Sequence, residues 1–402
     1  MGGVAQISRR TAVGGALAGA MGAASGCAFD GSDEKSSSSS TSAKSSKTRH
    51  ARPIGDGSMS DSGPQPKQRR WRRLKPGQEP PQFVVISWDG GGESSLKLNS
   101  HFQRVARECG ASMTIFLTGI YFVPESKRTI YHPPGREPGE SDLGFYPERF
   151  VRDTIEQTGK AWWGGHEIGT HFNGHFCGPK GVSTWTPEQW KDEISQAHTF
   201  VASWKTTTGF TDLPALPFDY RKELVGGRTP CLEGTDNLRK AAADLGWRYD
   251  SSGARYATWP HKVEGLWDLS MQSVPYPGSR SGIVAMDYNF LYQQSAGKVN
   301  GDPGQRTQWL RQTVDSLMAG FRQARDGNRA PFVIGNHFEH WNGGIYMKAV
   351  EEVMRNLSGE PDTHMVSFRQ LCDWLDAQDP EVLGRLQRLG SAPQKGWARY
   401  LA

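Results

Sequence analysis

Buried strands and amphipathic helices alternate along the chain from residue 82, and this alternation limits the fold more than any other feature. Two apolar runs, "FVVISW" (83–88) and "PFVIGN" (331–336), have no polar face, which indicates strands that are covered on both sides. Further strands are predicted over residues 112–119 and 364–367, and helices over residues 96–109, 186–205, 235–246, 345–357 and 368–378. Strands that alternate with helices predict an α/β fold whose parallel sheet is either open or closed into a barrel.

Polar side chains follow strand ends at three distant places in the chain. Asp89 follows the first apolar run, His171 and His175 follow a glycine-rich stretch, and His337 follows the last apolar run. In folds of this class, ligands bind at the face formed by the carboxyl ends of the strands. The three loops therefore predict one shared site that is rich in titratable and metal-binding groups.

The stretch "GGHEIGTHFNGHFCG" (164–178) holds three of the eleven histidines of the chain. His171 and His175 are four residues apart, so a helical turn would put both imidazoles on one face, where they can share one metal ion. Nearby glycines would let the backbone turn tightly around the ion. The same spacing also occurs in pairs of surface or capping histidines, so the pair alone leaves both interpretations open.

The N-terminus carries a targeting signal over residues 1–27. "SRRTAV" (8–13) is a twin-arginine pattern, and the weakly apolar run after it is shorter than the roughly 20 residues that span a bilayer. The run ends in "AASGC", which resembles a bacterial lipobox with Cys27 as the lipidated residue, although Ala24 stands where leucine is usual. We expect export by the twin-arginine route and a lipid anchor in the cell membrane; a cleaved signal with an incidental cysteine is the alternative.

Residues 28–81 are predicted to be a disordered tether, because they are rich in Ser, Pro, Gly and charge and bury little apolar surface. The formal net charge of the chain is +5, but residues 1–80 carry 13 Lys and Arg against 6 Asp and Glu. The remainder carries 34 against 36, which argues against nucleic-acid binding by the folded part. The basic cluster "KQRRWRRLK" (67–75) is expected to meet an anionic surface, either lipid headgroups or wall polymers.

Four cysteines besides Cys27 fall in the part of the chain that is expected to fold: Cys109, Cys177, Cys231 and Cys372. An even number in an exported domain permits two disulfides, with three alternative pairings. Buried free cysteines are equally ordinary as small apolar residues, so the sequence leaves the pairing open.

Five segments, in order, resemble the motifs of the polysaccharide deacetylase superfamily, the NodB-like proteins of carbohydrate esterase family 4. They are "ISWDGG" (86–91), "GHEIGTHFNGH" (165–175), "GGRTPCLEG" (226–234), "YDSS" with "GLWDL" (249–252 and 265–269), and "NRAPFVIGNH" (328–337). The sequences of the last segments are most similar to the chitin-deacetylase-like branch of the family. The resemblance implies a distorted (β/α) barrel over residues 82–378 and a C-terminal tail over 379–402. It also implies removal of acetyl groups from N-acetylated sugars, or from acetylated xylan, with one divalent metal ion, for which we expect zinc.

The resemblance also implies how the matching residues act. His171 and His175 would ligate the metal, and His166 would make a structural hydrogen bond. Asp89 would be the general base that activates the attacking water, and Arg228 would pair with Asp89 and keep it ionised.

The remaining matches concern the leaving group and the sugar. His337 would be the general acid that protonates the leaving amine, and the backbone N–H of Cys231 would help to hold the oxyanion. Pro230 and Trp267 would line the sugar groove. The carboxylate that orients His337 stays open among three candidates, Asp250, Asp268 and Asp287.

The first motif departs from the family at one position. The family has two adjacent aspartates there, one as base and one as metal ligand, whereas this chain has Asp89 followed by Gly90. Aligning Trp88 with the family's aromatic residue makes Asp89 the base and leaves the metal one carboxylate short. A slip of one residue would make Asp89 the ligand and remove the base. In the first alignment, which we prefer, a water molecule or Glu93 would complete the coordination.

Three functions follow from this sequence. The first is a metal-dependent hydrolase of C–N bonds other than peptide bonds, which removes acetyl groups from N-acetylated extracellular polysaccharide such as chitin-like or peptidoglycan glycan. The second is a non-catalytic glycan-binding protein on the same fold, suggested by Gly90. The third is an O-acetyl esterase acting on xylan or a wall polymer. We expect a monomer that meets the membrane only through its lipid anchor and basic tether.

Overall fold

A mainly parallel sheet organises residues 51–402, the part of the chain that the computed structural model describes. The predicted signal, Cys27 and the first part of the predicted tether lie outside these residues. The strands are β1 (Arg52–Ile54), β2 (Met59–Asp61), β3 (Gln82–Gly90), β4 (Thr114–Leu117), β5 (Glu167–Thr170), β6 (Gly226–Gly227), β7 (Tyr249–Asp250), β8 (Ala254–Arg255), β9 (Lys262–Val263), β10 (Leu266–Asp268), β11 (Met271–Tyr276), β12 (Ser279–Val284), β13 (Phe332–His337) and β14 (Thr363–Met365).

Twelve α-helices are found among the described residues, joined by loops and short 3₁₀ turns. The helices are α1 (Leu98–Glu108), α2 (Glu148–Trp163), α3 (Pro187–Ala202), α4 (Trp204–Thr208), α5 (Tyr220–Glu223), α6 (Thr235–Asp244), α7 (Asp287–Ser295), α8 (Arg306–Arg325), α9 (Trp341–Ser358), α10 (Phe368–Ala377), α11 (Pro380–Gln387) and α12 (Trp397–Tyr400). The 3₁₀ turns are Gly119–Phe122, Glu125–Ile130, Val182–Thr184, Pro230–Leu232 and Pro303–Gln305. Every strand and helix predicted from the apolar pattern is present, whereas the remaining elements, including the long helices α2 and α8, were not predicted.

The main sheet has nine strands in the order β13-β3-β4-β5-β6-β7-β10-β9, and β14 pairs with the first part of β3. All neighbours are parallel except β9 and β10. A second sheet, β12-β11-β8, stands on the open side, where the backbone N–H of Val333 donates to the side chain of Gln272 at 2.6 Å and Met286 bridges to Gly335. The predicted α/β fold is confirmed. Its barrel is distorted, because a side-chain hydrogen bond and one isolated β-bridge stand on that side in place of continuous hydrogen bonding between strands.

Strand β3 lies between β13 and β4 in the main sheet and shows how the sequence divides its two faces. Val84, Ile86 and Trp88 belong to the apolar cluster that also contains residues of the surrounding helices. Phe83 and Val85 belong to a second cluster together with residues of α10. Because side chains alternate along a strand, Asp89 continues the Phe83 and Val85 face. The alternation therefore places the carboxylate of Asp89 at the mouth of the barrel.

The predicted disordered tether is wrong for residues 51–81, which pack against the barrel. Met59 on the β1–β2 hairpin is 3% exposed, and the backbone N–H and the hydroxyl of Ser60 both donate to the carbonyl of Leu216. The Gln65 amide donates to the carbonyls of Trp162 and His166 at 3.0 and 2.7 Å. The segment has too little apolar surface to form a core of its own, but its few apolar side chains pack against the surface of the barrel. Each helix within residues 51–402 is either too short or too polar to span a membrane.

The C-terminal segment is likewise part of the folded unit and not a free tail. Residues 380–402 form α11 and α12, and Leu386 and Leu401 are buried in the apolar cluster that contains Phe83. The Arg385 guanidinium donates to the carbonyl of Tyr400 at 3.2 Å. The boundary predicted at residue 378 therefore marks a turn between two packed helices.

Candidate active site

A buried ion pair stands at the carboxyl end of β3. Asp89 Oδ1 accepts a hydrogen bond of 2.8 Å from Nη1 of Arg228, whose side chain is fully buried. The remaining guanidinium N–H groups donate to the carbonyl and the hydroxyl of Ser251 at 3.0 and 2.9 Å, and the guanidinium lies 4.9 Å from the ring of Phe116. These contacts fix Arg228 in one orientation, so its charge stays beside Asp89.

The surroundings of Asp89 lower the pKa of its carboxyl group. Burial alone would raise that pKa, but the positive charge of Arg228 and the contributions of His171 and His337 outweigh burial. The carboxylate is therefore ionised at neutral pH and available to accept a proton.

His171 and His175 converge on the cavity beside Asp89 through a loop and not, as the spacing suggested, through a helical turn. Strand β5 ends one residue before His171, and Phe172 and His175 adopt left-handed conformations with φ of 60° and 56°. Gly174 lies between them, where an added Cβ would come within 2.4 Å of the Phe176 ring, so the loop requires glycine there. The ring centroids of the two histidines are 5.0 Å apart.

The donor set fits a divalent metal ion. Nδ1 of His171 lies 2.8 Å from the carbonyl of Arg228; a carbonyl only accepts, so Nδ1 carries the proton and Nε2 keeps its lone pair. Such a carbonyl contact behind a ring is the usual support of a metal-bound histidine. His171 and His175 would hold the ion, and Asp89 lines the same cavity as the neighbouring carboxylate.

A disulfide ties the loop of His175 to the loop that follows Arg228. Cys177 and Cys231 are bonded across 54 residues of chain, whereas Cys109 and Cys372 are free thiols. A ring nitrogen of His175 and the two sulfurs lie within 4.8 Å of one another. Because a disulfide sulfur is not a thiolate, this pair adds no zinc ligand, and it serves instead as a brace between the two loops.

His337 is the last residue of β13, which pairs with β3 on the side away from β5 and its two histidines. Asp287 orients its imidazole ring. Nδ1 of His337 donates to Asp287 Oδ1 at 2.7 Å, and the backbone N–H of His337 donates to Oδ2 at 2.7 Å. This leaves Nε2 at 3.9 Å from Asp89 Oδ2. Among the three aspartates that the sequence left open, Asp287 is therefore the one that contacts His337, and α7 supplies it from its first residue.

The other candidate carboxylates are bound elsewhere. Asp250 and Asp268 pair with Arg239 at 2.8 and 3.4 Å, so neither orients His337. Glu93 is fully buried, and its carboxylate accepts from a backbone N–H of α1 at 2.9 Å. Glu93 is not among the residues that line the cavity, so the expectation that it completes a metal site is wrong.

The catalytic candidates line one cavity of about 450 Å³ at the carboxyl ends of the strands. The cavity is lined by Asp89, His171, His175, Thr229, Cys231, Leu232, Thr235, Arg239, Ser252, Gly253, Ala254, Arg255, Asp268, Val284, Met286, Tyr288, Asn289, Tyr292 and His337. Pro230 and Trp267, which the sequence assigned to the sugar groove, do not line it. Trp267 points to the other face of β10 from its cavity-lining neighbour Asp268, and its indole N–H donates to Asp376 at 2.8 Å. Pro230 is the buried first residue of the 3₁₀ turn Pro230–Leu232.

Gly90 follows Asp89 but faces away from it. Its φ is +98°, and a Cβ added there would lie 3.5 Å from the ring of Tyr121, which does not line the cavity. Of these two adjacent positions, Asp89 is therefore the one that faces the cavity, beside Arg228.

Two residues of α7 that sequence reasoning missed form an aromatic wall of the cavity. Tyr288 and Tyr292 are one helical turn apart, and Tyr292 is 39% exposed. Tyr288 packs against Trp341 at 5.9 Å between ring centroids, and Trp341 lies 5.3 Å from His337. The only indication of this wall in the sequence is "MDYNFLY" (286–292), where two tyrosines four residues apart follow Asp287.

Comparison with known proteins gives matches among solved structures alone. No family model matches the chain, and no curated protein matches it by sequence. A protein of Mycobacterium smegmatis provisionally assigned as a polysaccharide deacetylase matches at 14% identity and a TM-score of 0.48, over 77% of this chain and 96% of that one. A CE4 esterase of Streptococcus mutans matches at 11% and 0.41, over 71% and 86%. A mutant of a CE4 family pseudoenzyme with restored enzymatic activity matches at 10% and 0.38, over 74% and 69%. Such low identities and TM-scores leave the function to be argued from the side chains of the cavity.

Proposed function

We propose that this protein is a metal-dependent deacetylase that hydrolyses acetyl groups of N-acetylated extracellular polysaccharide, with zinc as the metal. The observation that carries the proposal is the meeting of three groups in one cavity. These are the Asp89–Arg228 ion pair, the two histidines of the β5 loop, and the pair formed by His337 and Asp287.

The protein's residues divide the proton transfers of amide hydrolysis between two sides of the cavity. Asp89, held ionised by Arg228, accepts a proton from the attacking water. His337, with Asp287 fixing its Nδ1, presents Nε2 to give a proton to the nitrogen that leaves. When bound by His171 and His175, the ion would supply Lewis-acid activation of the water and of the acetyl carbonyl. The products are acetate and a free amino sugar.

The cavity suits a sugar chain. It is open to solvent at the aromatic wall of Tyr288 and Tyr292, and flat aromatic faces pack well against pyranose rings. Polar side chains of Asn289 and Arg255 stand around it to bind hydroxyl groups. We propose that the wall supports the ring next to the one that loses its acetyl group.

A non-catalytic glycan-binding protein is the second candidate, and the small set of metal-binding groups in the cavity is the observation that favours it. Position 90 faces Tyr121 and Glu93 is buried away from the cavity, so neither position offers the ion a carboxylate. A site with two histidines and a carboxylate already committed to Arg228 would bind metal weakly. Glycan binding without acetate release would then be the whole activity.

Acetate release and metal content, measured together, test the proposal. The wild type with zinc is expected to release acetate from chitin oligomers or peptidoglycan glycan, and acetylated xylan tests the ester alternative. His337→Ala should lower turnover about 100- to 10,000-fold without loss of metal, whereas His171→Ala should lose the metal. His132→Ala is the matched control, because the His132 side chain is exposed and its backbone alone bonds to Gln196. Bound glycan and metal with no acetate from any of these substrates would favour the second candidate.

We also propose that the protein acts outside the cytoplasm as a lipid-anchored monomer. Support comes from the twin-arginine pattern and "AASGC" in the sequence, and from a cavity suited to an extracellular polymer. Cys27→Ala should release the protein from a membrane fraction that is washed at high salt, which screens the attraction between basic side chains and anionic lipids. Unchanged attachment of that variant would contradict the anchor.

A further inference from the structure

We propose that residues 67–75, which we call the basic segment, form a docking face for an anionic phospholipid surface at the end of the barrel opposite the cavity. The segment, "KQRRWRRLK", lines a cleft of about 550 Å³ together with residues before β3 and on β14. The lining has five Lys and Arg against two Asp and Glu.

The basic segment is anchored to the barrel by its apolar side chains. Trp71 is half-buried and packs edge-on against Phe83 at 5.3 Å between ring centroids, and it lies 5.6 Å from the ring of His364. The backbone N–H of Leu74 donates to the Gln378 side chain at 2.8 Å. Anchoring at these points means that the charges of the segment keep fixed positions on the surface.

Several charges of the basic segment are not neutralised by the protein. Arg70, Arg72 and Lys75 are exposed, and none of the ion pairs found within residues 51–402 involves them. The indole N–H of Trp71 has no acceptor among the same residues. The remainder of the chain after residue 80 is nearly neutral, with 34 basic against 36 acidic residues. The cleft is therefore a local positive field and not one part of a generally basic surface.

The position of the basic segment is compatible with a working site that faces away from the membrane. The segment packs at Phe83, near the start of β3, whereas Asp89 at the end of β3 lines the cavity. Six residue steps along a strand separate the two by about 20 Å. A bilayer that touches the basic segment would leave the cavity open on the far side.

A lipid surface fits this face better than a free anion does. Positive charges spread over exposed side chains attract a charged plane, and each Lys or Arg near an anionic bilayer adds to the attraction. If Cys27 is lipidated, the chain between it and residue 51 reaches at most about 80 Å, so the face stays close to the bilayer. A basic patch is a usual second membrane signal beside a lipid anchor.

Vesicle binding by the full chain carrying Cys27→Ala tests the proposal without a lipid anchor. The chain is expected to bind vesicles of mixed phosphatidylglycerol and phosphatidylcholine but not phosphatidylcholine alone, and added salt should release it. The triple variant Arg70→Gln, Arg72→Gln, Lys75→Gln should bind about a hundredfold more weakly. The matched control, Arg107→Gln, Lys127→Gln, Lys348→Gln, removes the same charge from exposed positions elsewhere and should bind like the parent.

Four results would overturn the docking face. An equal loss of vesicle affinity in both triple variants would mean that net charge, and not the basic segment, drives binding. Equal binding of the parent to neutral and anionic vesicles would mean that binding is not electrostatic. Competition by inorganic phosphate, at an ionic strength matched with chloride, would indicate a discrete phosphate pocket. Binding to a purified anionic wall polymer but not to vesicles would make that polymer the partner. Thermal unfolding of both triple variants at the parent's temperature excludes misfolding, because all six side chains are exposed.

Discussion

Asp89 and Gly90 are neighbours in the chain, yet their directions decide how the candidate site would work. Asp89 points into the cavity, where Arg228 holds it ionised, and position 90 points to Tyr121 on the other side of the strand. A carboxylate in this site therefore has one fixed position, beside Arg228. Both possible roles, base and metal neighbour, fall on that single group.

Substituting Gly90 tests this division of roles. Gly90→Asp is expected to cost about 1 to 2 kcal/mol of unfolding free energy, because φ is +98° there, and to leave zinc affinity unchanged. Gly90→Ala, with the same backbone strain and no carboxylate, is the control. Zinc titration and thermal unfolding of both variants give the comparison. If the Asp variant binds zinc more tightly than the Ala variant, position 90 does reach the ion and this account of the site is wrong.

Tyr292 offers a second test at the scale of one residue. Tyr292→Ala should raise KM for an acetylated oligosaccharide about 10-fold with little change in kcat, since a ring that supports a neighbouring sugar contributes roughly 1 kcal/mol or more. Tyr256→Ala is the matched control, because Tyr256 is 72% exposed and does not line the cavity. Equal effects of the two substitutions would remove the aromatic wall from the substrate site.

Among the elements, the disulfide between Cys177 and Cys231 joins the two loops that matter most. One loop carries His175, and the other follows Arg228. Replacing both cysteines by alanine should lower zinc affinity or turnover about 10- to 100-fold, as the loss of a support behind a ligand does. It should also cost about 4 kcal/mol, from the 54-residue loop that the disulfide closes. Cys109→Ala, at a free thiol, is the control for activity, and unaltered zinc binding in the double variant would show that the loops need no brace.

The β1–β2 hairpin gives a stability test of the folded N-terminal segment. Met59→Ala should lower the unfolding free energy by about 3 kcal/mol, because Met59 is 3% exposed in a packed cluster. Leu96→Ala, at a side chain that is 44% exposed, should change it little. Chemical denaturation of both variants provides the measurement. A disordered tether would instead make Met59→Ala neutral.

The elements predicted from the sequence reveal themselves through their own residues, whereas the features that were missed depend on contacts with residues far away in the chain. Strands β3 and β13 were predicted because their own apolar runs demand burial on both faces. The three-residue strand β10 is too short for its alternation to reveal which of Trp267 and Asp268 faces the cavity. Asp287 is 50 residues from His337, and only tertiary structure joins them. The N-terminal segment was missed because its few apolar residues, such as Met59, pack against the barrel and not against one another.

At the scale of the whole molecule, the buried His166 and Glu193 and the half-buried His198 make stability depend on pH in opposite senses. Burial lowers the pKa of His166 and of His198 to about 4, aided by the charges of Lys67 and Arg221, and burial raises the pKa of Glu193 to about 7 despite hydrogen bonds from Tyr131 and Asn173. Between pH 4 and 6.5, the pKa that a histidine has in the unfolded chain, the two histidines bind more protons when the chain is unfolded. Their contribution to stability therefore rises with pH from about 4 to 6.5. Glu193 binds more protons when the chain is folded, so its effect is that stability falls from about pH 4.5 to 7.

By themselves, these three groups give a maximum of stability near pH 6.5, and Glu193→Gln separates the effect of Glu193 from that of the two histidines. Two histidines outweigh one glutamate up to that pH, and above it only the fall from Glu193 continues, until about pH 7. Each group contributes about 3 kcal/mol across its window. Glutamine resembles the protonated acid, so Glu193→Gln should steepen the rise between pH 4.5 and 6.5 and abolish the fall above it. Urea denaturation of the metal-free protein between pH 4 and 8 measures both curves without competition from metal binding. Superimposable curves for the wild type and the variant would mean that Glu193 titrates near its ordinary pKa, and that its contacts with Tyr131 and Asn173 behind the His175 loop hold a charged carboxylate.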